Sequence, residues 1–451
     1  MKIKTSYVCS QCGAVSAKWA GKCYNCGSWD TLVEQVISNT DLKQNRKPIS
    51  INSNKIIKLK DILTDSTKRI STQIKELDRV IGGGIIPGAL ILIGGDPGIG
   101  KSTLMLQMCG NLIERQPLYI TGEESLEQIK LRAERIISNA DDLSIMNETS
   151  LEEIEAAIKI SDYNIIVIDS IQSVYSERID ASPGSIIQMR ECSSALMRVA
   201  KETKKAIFII GHITKEGIIA GPKLLEHIVD TVLQFEGEKT YTFRIVRALK
   251  NRFGSTNEIG IFEMSSKGLI EVTNPSELFL AQRKTNESGV AIISAIEGSR
   301  PILLEVQALV TPTSYGMPQR TSNGYDLRRL QMLLAVLEKR LGIYFSRNDV
   351  FVNVAGGIYL NDPASDFGIA VAIISSLKDT ALESDVAFIG EIGLTGEIRA
   401  IPNIEQRISE VEKLGLKAVF LPESNLNKVI KKYSIKFFPI NKISSAIIQL
   451  F

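Results

Sequence analysis

ALILIGGDPGIGKST, residues 89–103, joins a short continuous apolar run to a glycine-rich turn that ends in lysine and serine. Residues 89–93 read as a parallel strand buried on both faces. They empty into Gly94, Gly95, Asp96, Pro97, Gly98, Ile99, Gly100, Lys101, Ser102 and Thr103. The spacing G-x-x-x-x-G-K-S follows from what a bound phosphate needs. Glycines let successive backbone N–H groups curl round the anion, Lys101 reaches the outer phosphates, and Ser102 offers its hydroxyl to magnesium. A helix expected over residues 103–113 points its positive end the same way. ATP and Mg2+ are the expected ligands, held by Gly95, Asp96, Pro97, Gly98, Ile99, Gly100, Lys101, Ser102 and Thr103.

Further strand tips follow downstream. Residues 165–168 are all apolar and end in Asp169 and Ser170, the arrangement in which a carboxylate at a strand tip holds the magnesium shell. Residues 118–121 lead into Gly122, Glu123 and Glu124. A carboxylate there either polarises the attacking water or supplies the negative charge that a helix N-terminus favours. Residues 206–210 end in Gly211 and His212; that imidazole either senses the γ-phosphate or is hydrogen-bonded packing. Helical stretches expected at 125–137 and 186–204 alternate with these strands, which describes a doubly wound α/β core.

Ahead of this core stand two C-x-x-C-G pairs, Cys9/Cys12 and Cys23/Cys26. Zinc takes four tetrahedral thiolates, and four leave no open position for a water, so a structural site is expected. A segment of about 30 residues has too little core to fold alone, and metal binding worth on the order of 10 kcal/mol would supply its stability. Trp19 and Trp29 fall within it and either stack on bases or pack over the zinc. Residues 1–60 hold ten Lys/Arg against three Asp/Glu, a +7 head on a −5 body, which suits either a nucleic-acid partner or a solvated linker. Nothing approaches the run of about 18 apolar residues that a membrane span needs, and the start lacks a signal peptide, so a cytoplasmic protein with no membrane partner is expected. The expected domains are a zinc ribbon at 1–35, a linker at 36–58, an ATPase core at 59–270 and a tail at 275–451.

ELDRVIGGGIIPG, residues 76–88, resembles the segment leading into the phosphate loop of RecA-like ATPases. Lys250, Asn251, Arg252, Phe253 and Gly254 look like the signature of the bacterial RadA/Sms family. That resemblance covers essentially the whole chain and implies a zinc ribbon, a RecA-like P-loop ATPase core and a Lon-protease-like tail in this order. It implies that Glu123 is the catalytic glutamate, His212 the sensor, and Lys250 with Arg252 a basic pair reaching a neighbouring subunit's nucleotide or the DNA. Further implied are a DNA motor in recombination and repair that unwinds or branch-migrates its substrate, single-stranded or branched DNA as partner, recombinase or other recombination proteins, and a homo-oligomeric ring, a hexamer.

The tail reads as α+β. Residues 288–296 and 302–309 are strand-like, and Leu327, Leu330, Leu334, Leu337 and Leu341 line one helix face. AFIGEIGLTGEI, residues 387–398, resembles the C-terminal proteolytic domain of Lon, whose serine nucleophile is activated by a lysine. Here the lysine-bearing segment reads Ile404, Glu405, Gln406 and Arg407, and Asp366 falls at the nucleophile's position beside Ser365. Arginine cannot be deprotonated to act as a base. A fold kept for assembly or DNA contact is expected, with two rivals: an ATP-dependent Lon-like protease, and a nucleotide-gated scaffold or signalling ATPase.

Cys9→Ser or Cys26→Ser is expected to lose about one zinc per chain and the ribbon's structure, because three thiolates hold zinc poorly. Metal analysis of purified protein checks this; nucleotide binding by the core should persist. Finding no zinc in the native protein would remove the ribbon.

Overall fold

The Leu90–Gly95 run is buried along its whole length because strands pair with it on both sides. The structure, a computed structural model, describes residues 4–9, 14–29, 31–37, 69–212, 225–237, 243–281, 286–314, 316–430 and 433–451. Three strands, β1 (Lys4–Cys9), β2 (Val15–Ser16) and β3 (Leu32–Ile37), form a small antiparallel sheet in the order β2-β1-β3. The linker expected at 36–58 lies outside the described residues apart from Val36 and Ile37, which belong to β3.

The main sheet contains β4 (Leu90–Gly95), β5 (Pro117–Thr121), β6 (Ser144–Asn147), β7 (Ile165–Asp169), β8 (Ala206–His212) and β9 (Thr231–Glu236), all parallel. With β10 (Phe243–Asn251), β11 (Ile259–Ser265) and β12 (Gly268–Glu271) its order is β12-β11-β10-β9-β4-β8-β7-β5-β6. Alternate residues Leu90, Leu92, Ile166, Ile168, Ile207 and Ile209 pack with Ile154, Leu196 and Val199 from two helices, as period-2 strands facing amphipathic helices should. Those helices, Leu151–Ile160 and Ile186–Thr203, start where Ser150 and Ser185 accept from orphan N–H groups of the first turn. Leu126–Ile136 starts at a full capping box of Ser125 and Gln128.

The described chain divides into two compact units, one within 1–236, 246–256 and 264–270 and the other within 237–245, 257–263 and 271–451. In the second, β13 (Val290–Glu297), β14 (Arg300–Pro312), β15 (Arg320–Asn323), β16 (Asn348–Val354) and β17 (Val386–Phe388) share a sheet with two later strands. A separate hairpin pairs β18 (Glu391–Ile392) with β19 (Ile398–Arg399). The later strands are β20 (Ala418–Pro422) and β21 (Lys436–Ile440), and the mixed order is β15-β16-β14-β13-β17-β20-β21. In the helix Leu327–Leu341 the leucine stripe is buried at Leu330, Leu334 and Leu337 but not at its two ends, where Leu327 is exposed and Leu341 half-buried. The helix Asp366–Lys378 is apolar nearly all round and correspondingly buried through Phe367 to Ser375. Among the described residues, no helix is long and apolar enough to cross a membrane.

Arg407, which stands in the segment where Lon carries its lysine, is 1% exposed. Its guanidinium pairs with Asp362 at 2.6 Å and donates to Ser294 O at 2.6 Å. Asp362 also accepts from the N–H groups of Ile296 and Ala364. The arginine is therefore a structural cation inside the core. Arg407→Ala leaves a buried carboxylate without its charge partner, so a loss of about 3–5 kcal/mol is expected in the unfolding of the C-terminal unit. Urea denaturation followed by probes in each unit checks it; an unshifted C-terminal transition would contradict the assignment.

Candidate functional site

The chemistry-bearing residues collect at the carboxyl ends of the parallel strands. At the tip of β4 the loop turns through Gly98, with φ +77 and nothing within 4 Å of a built Cβ, so glycine is needed there for backbone conformation alone. Gly95 differs: a Cβ would meet Phe235 Cβ at 2.8 Å, so glycine permits close approach of β9. The helix Lys101–Asn111 begins directly after Gly100 and turns its N-terminal N–H groups toward the loop. Lys101 is buried, and its Nζ donates to Gly95 O at 2.7 Å and Asp96 O at 2.9 Å. Burial pulls its pKa down to about 8, against the opposing pull of Asp169, Asp96 and Glu123. A phosphate in the loop supplies the negative charge that burial otherwise denies the ammonium.

The neighbouring strand tips bring the carboxylates in. β5 and β7 pair with Thr121 opposite Asp169, and Gly122 N–H donates to Asp169 O at 3.0 Å. A Cβ on Gly122 would meet Ser173 Oγ at 2.2 Å, so only glycine allows this approach. The two glutamates that follow separate in role. Glu123 is exposed toward the site and accepts from the Ser170 hydroxyl. Glu124 turns away to Arg132 at 2.5 Å, on the helix Leu126–Ile136. Asp169 is buried, and its Oδ2 accepts from the Tyr119 hydroxyl at 2.6 Å. Sequence reasoning missed Tyr119, because a tyrosine inside an apolar run reads as core and only the strand register reveals its reach. Ser102 and Asp169 offer hard oxygen donors, the class magnesium takes, and so fit that ion. His212 ends β8 with its backbone in register with Gly95; its side chain lies outside the described residues.

Lys250 and Arg252 sit elsewhere. The Lys250 ammonium caps the carbonyls of Glu226 and of Val229, the latter at 2.9 Å. Burial lowers its pKa, and the adjacent Arg252 lowers it further. Arg252, about half exposed, reaches Asp230 Oδ1 at 3.3 Å. Asp230 is buried and also receives Lys201 at 2.7 Å and the Leu90 N–H at 3.2 Å. Leu90 opens β4 and Gly95 closes it. At roughly 3.3 Å per residue, Arg252 is thus held about 17 Å from its own phosphate loop, at the opposite end of the strand.

In the ribbon, the Sγ atoms of Cys9, Cys23 and Cys26 lie within 4.8 Å of one another, and Cys9 and Cys26 approach to 3.7 Å. Thiolates about 2.3 Å from a tetrahedral zinc are about 3.8 Å apart, so the donors fit that ion in kind and spacing. Cys12 lies outside the described residues.

In the C-terminal unit, Ser365 is fully buried and its hydroxyl donates to Asp362 O at 2.7 Å. Asp366 is gripped by Arg329 through two bonds of 2.6 Å and by the Tyr325 hydroxyl at 2.8 Å. The aspartate at the nucleophile's position is a buried, paired anion. Neither Arg329 nor Tyr325 was legible as its partner from spacing.

Three family models match the chain: an AAA domain over residues 54–217, a rubredoxin metal-binding domain over 7–34, and subunit ChlI of Mg-chelatase over 326–425. The DNA repair protein RadA of Halalkalibacterium halodurans is 48% identical over 450 residues, covering 99% of this chain and 98% of that one. The DNA repair protein RadA of Bacillus subtilis is 48% identical over 452 residues with the same coverage. That of Listeria monocytogenes is 48% identical over 428 residues, 94% of this chain and 93% of its own. The fold is α/β, a P-loop ATPase core with an N-terminal zinc ribbon and a Lon-like C-terminal region, and its cofactors are ATP, Mg2+ and Zn2+. At this identity along essentially its whole length, the chain belongs to the RadA family of DNA repair proteins.

Proposed function

We propose that the chain is an ATP-driven motor on single-stranded or branched DNA that acts in recombination and repair, unwinding or migrating its substrate as a homo-oligomeric ring in the cytoplasm alongside recombination proteins. The domain division proposed with it is a ribbon at 1–35, a linker at 36–58, an ATPase core at 59–270 and a non-proteolytic tail at 275–451. The observation that carries the ring is the separation of Arg252 from its own phosphate loop along β4. A cation fixed at that end serves phosphoryl transfer only in a neighbouring subunit's site, which makes hydrolysis depend on assembly. Hexameric closure is the form proposed.

Within one site the roles divide by geometry. Lys101 and the N–H groups of Gly95, Asp96, Gly98, Ile99, Gly100, Ser102 and Thr103 bind and orient the phosphates, with Pro97 shaping the turn. Glu123, steadied by Ser170, takes a proton from the attacking water. Asp169 and Ser102 would hold magnesium, which would offset charge on the phosphates. His212, beside Gly95, senses the γ-phosphate. Arg252 completes a neighbour's site, and Lys250 joins it only by giving up two carbonyls. The protease alternative finds no support in the C-terminal unit: Ser365 is buried on a carbonyl, and Arg407 is locked to Asp362.

Lys101→Ala is expected to lower ATP turnover about 100-fold or more while circular dichroism and the melting transition stay native, because it removes the cation on the phosphates and little core. A folded variant with native turnover would contradict the phosphate site.

Arg252→Ala is expected to bind ATP but to turn it over about 1,000-fold more slowly, the scale of a cation supplied in trans. Mixing it with Lys101→Ala should restore part of the ATPase rate, since some interfaces then join an intact Lys101 to an intact Arg252. No recovery at any ratio, with subunit exchange confirmed by fluorescence transfer, would count against the trans assignment.

A further inference from the structure

The two tryptophans of the chain both fall in the ribbon, and both face solvent: Trp19 is 57% exposed and Trp29 is 73% exposed. Among the described residues the buried core there is Cys9, Cys23 and Leu32, and the two largest apolar side chains lie outside it. The two rings meet over one stretch of backbone. A Cβ on Gly21 would lie 3.8 Å from Trp29 Cζ3 and 3.9 Å from Trp19 Cη2, so both indoles reach to ordinary contact distance of the same stretch of backbone. Lys22 Nζ sits 5.5 Å from the Trp29 ring centroid, and exposed Lys18 directly precedes Trp19 in the chain. Tyr24, at 72% exposure, adds a third ring to the same segment.

Exposed indoles suit a protein partner as well as a base, and charge decides between them. Residues 1–30 carry four lysines against one carboxylate, Asp30. That complements a polyanion, and flat rings interleaved with ammonium groups are the combination that stacks unpaired bases while following their phosphates. We propose that this face of the ribbon is a stacking platform for single-stranded DNA, without sequence preference, separate from the DNA path of the motor. Its biological sense rests on the DNA-motor reading above, but its test does not.

Because Trp19 and Trp29 are the chain's only tryptophans, intrinsic emission reports on the ribbon alone. Zinc-loaded full-length protein without ATP is titrated with oligothymidylate longer than the roughly 4–16 nucleotides one small domain covers. Tryptophan emission and the anisotropy of a labelled oligonucleotide are read in parallel. Quenching that saturates with the anisotropy is expected, and Trp19→Ala combined with Trp29→Ala should weaken binding about tenfold or more at unchanged zinc content. Lys18→Gln with Lys22→Gln should lower the slope of log affinity against log salt by about 1.4. Anisotropy that rises while emission stays constant overturns the platform and leaves the DNA-motor reading standing, with a protein partner as the remaining use of the face. No response in either channel overturns both. Should the double tryptophan variant lose zinc, the emission titration of the native protein decides alone.

Discussion

A parallel strand has polarity, and β4 uses both of its ends. Its neighbours run in the same direction, so the carboxyl tips of β4, β5, β7 and β8 lie along one edge of the sheet. The backbone hydrogen bonds that make each strand rigid thereby set the positions of Lys101, Glu123 and Asp169, while their side chains come from separate loops. The other end of β4 is equally constrained. Asp230 N–H donates to Leu90 O, and the Asp230 carboxylate accepts from Leu90 N–H, so the segment carrying Arg252 is anchored to the strand that carries the phosphate loop.

The parts that were legible in the sequence are those whose chemistry forces a spacing. Glycines and a lysine around a phosphate, four cysteines around a metal and apolar runs ending in an acid each leave a pattern along the chain. What stayed hidden depends on register or on long-range pairing. Tyr119 meets Asp169 only because β5 lies against β7, and the alternation of a buried strand gives no sign of which side chain will carry a hydroxyl to an acid. Asp230 is one acid among many until Leu90, Lys201 and Arg252 are seen to share it. Glu123 and Glu124 are adjacent and chemically alike. A single step along the backbone sends one toward Ser170 and the other to Arg132.

The C-terminal unit illustrates how a loss read from sequence can be a gain in structure. The absence of a lysine near Arg407 reads as missing chemistry, yet the arginine is a buried ion pair with an acceptor for each of its three nitrogens. Asp366, at the place of a nucleophile, is held by a bidentate guanidinium and a phenol. Both pairs bury a carboxylate against an arginine, with Arg407 buried too and Arg329 a third exposed, and removing one member of such a pair is far more destabilising than never having it. A single substitution at Asp366 or at Arg407 therefore leaves its partner without its counter-charge.

Among the described residues Arg252 is one of three donors on the Asp230 carboxylate, and that redundancy has a mechanical meaning. If the guanidinium swings out toward a neighbour, the carboxylate keeps Lys201 and the Leu90 N–H and is not left bare in a low-dielectric pocket. The contact can open without loosening the sheet it hangs from, because Asp230 stays bonded to Leu90 at the start of β4.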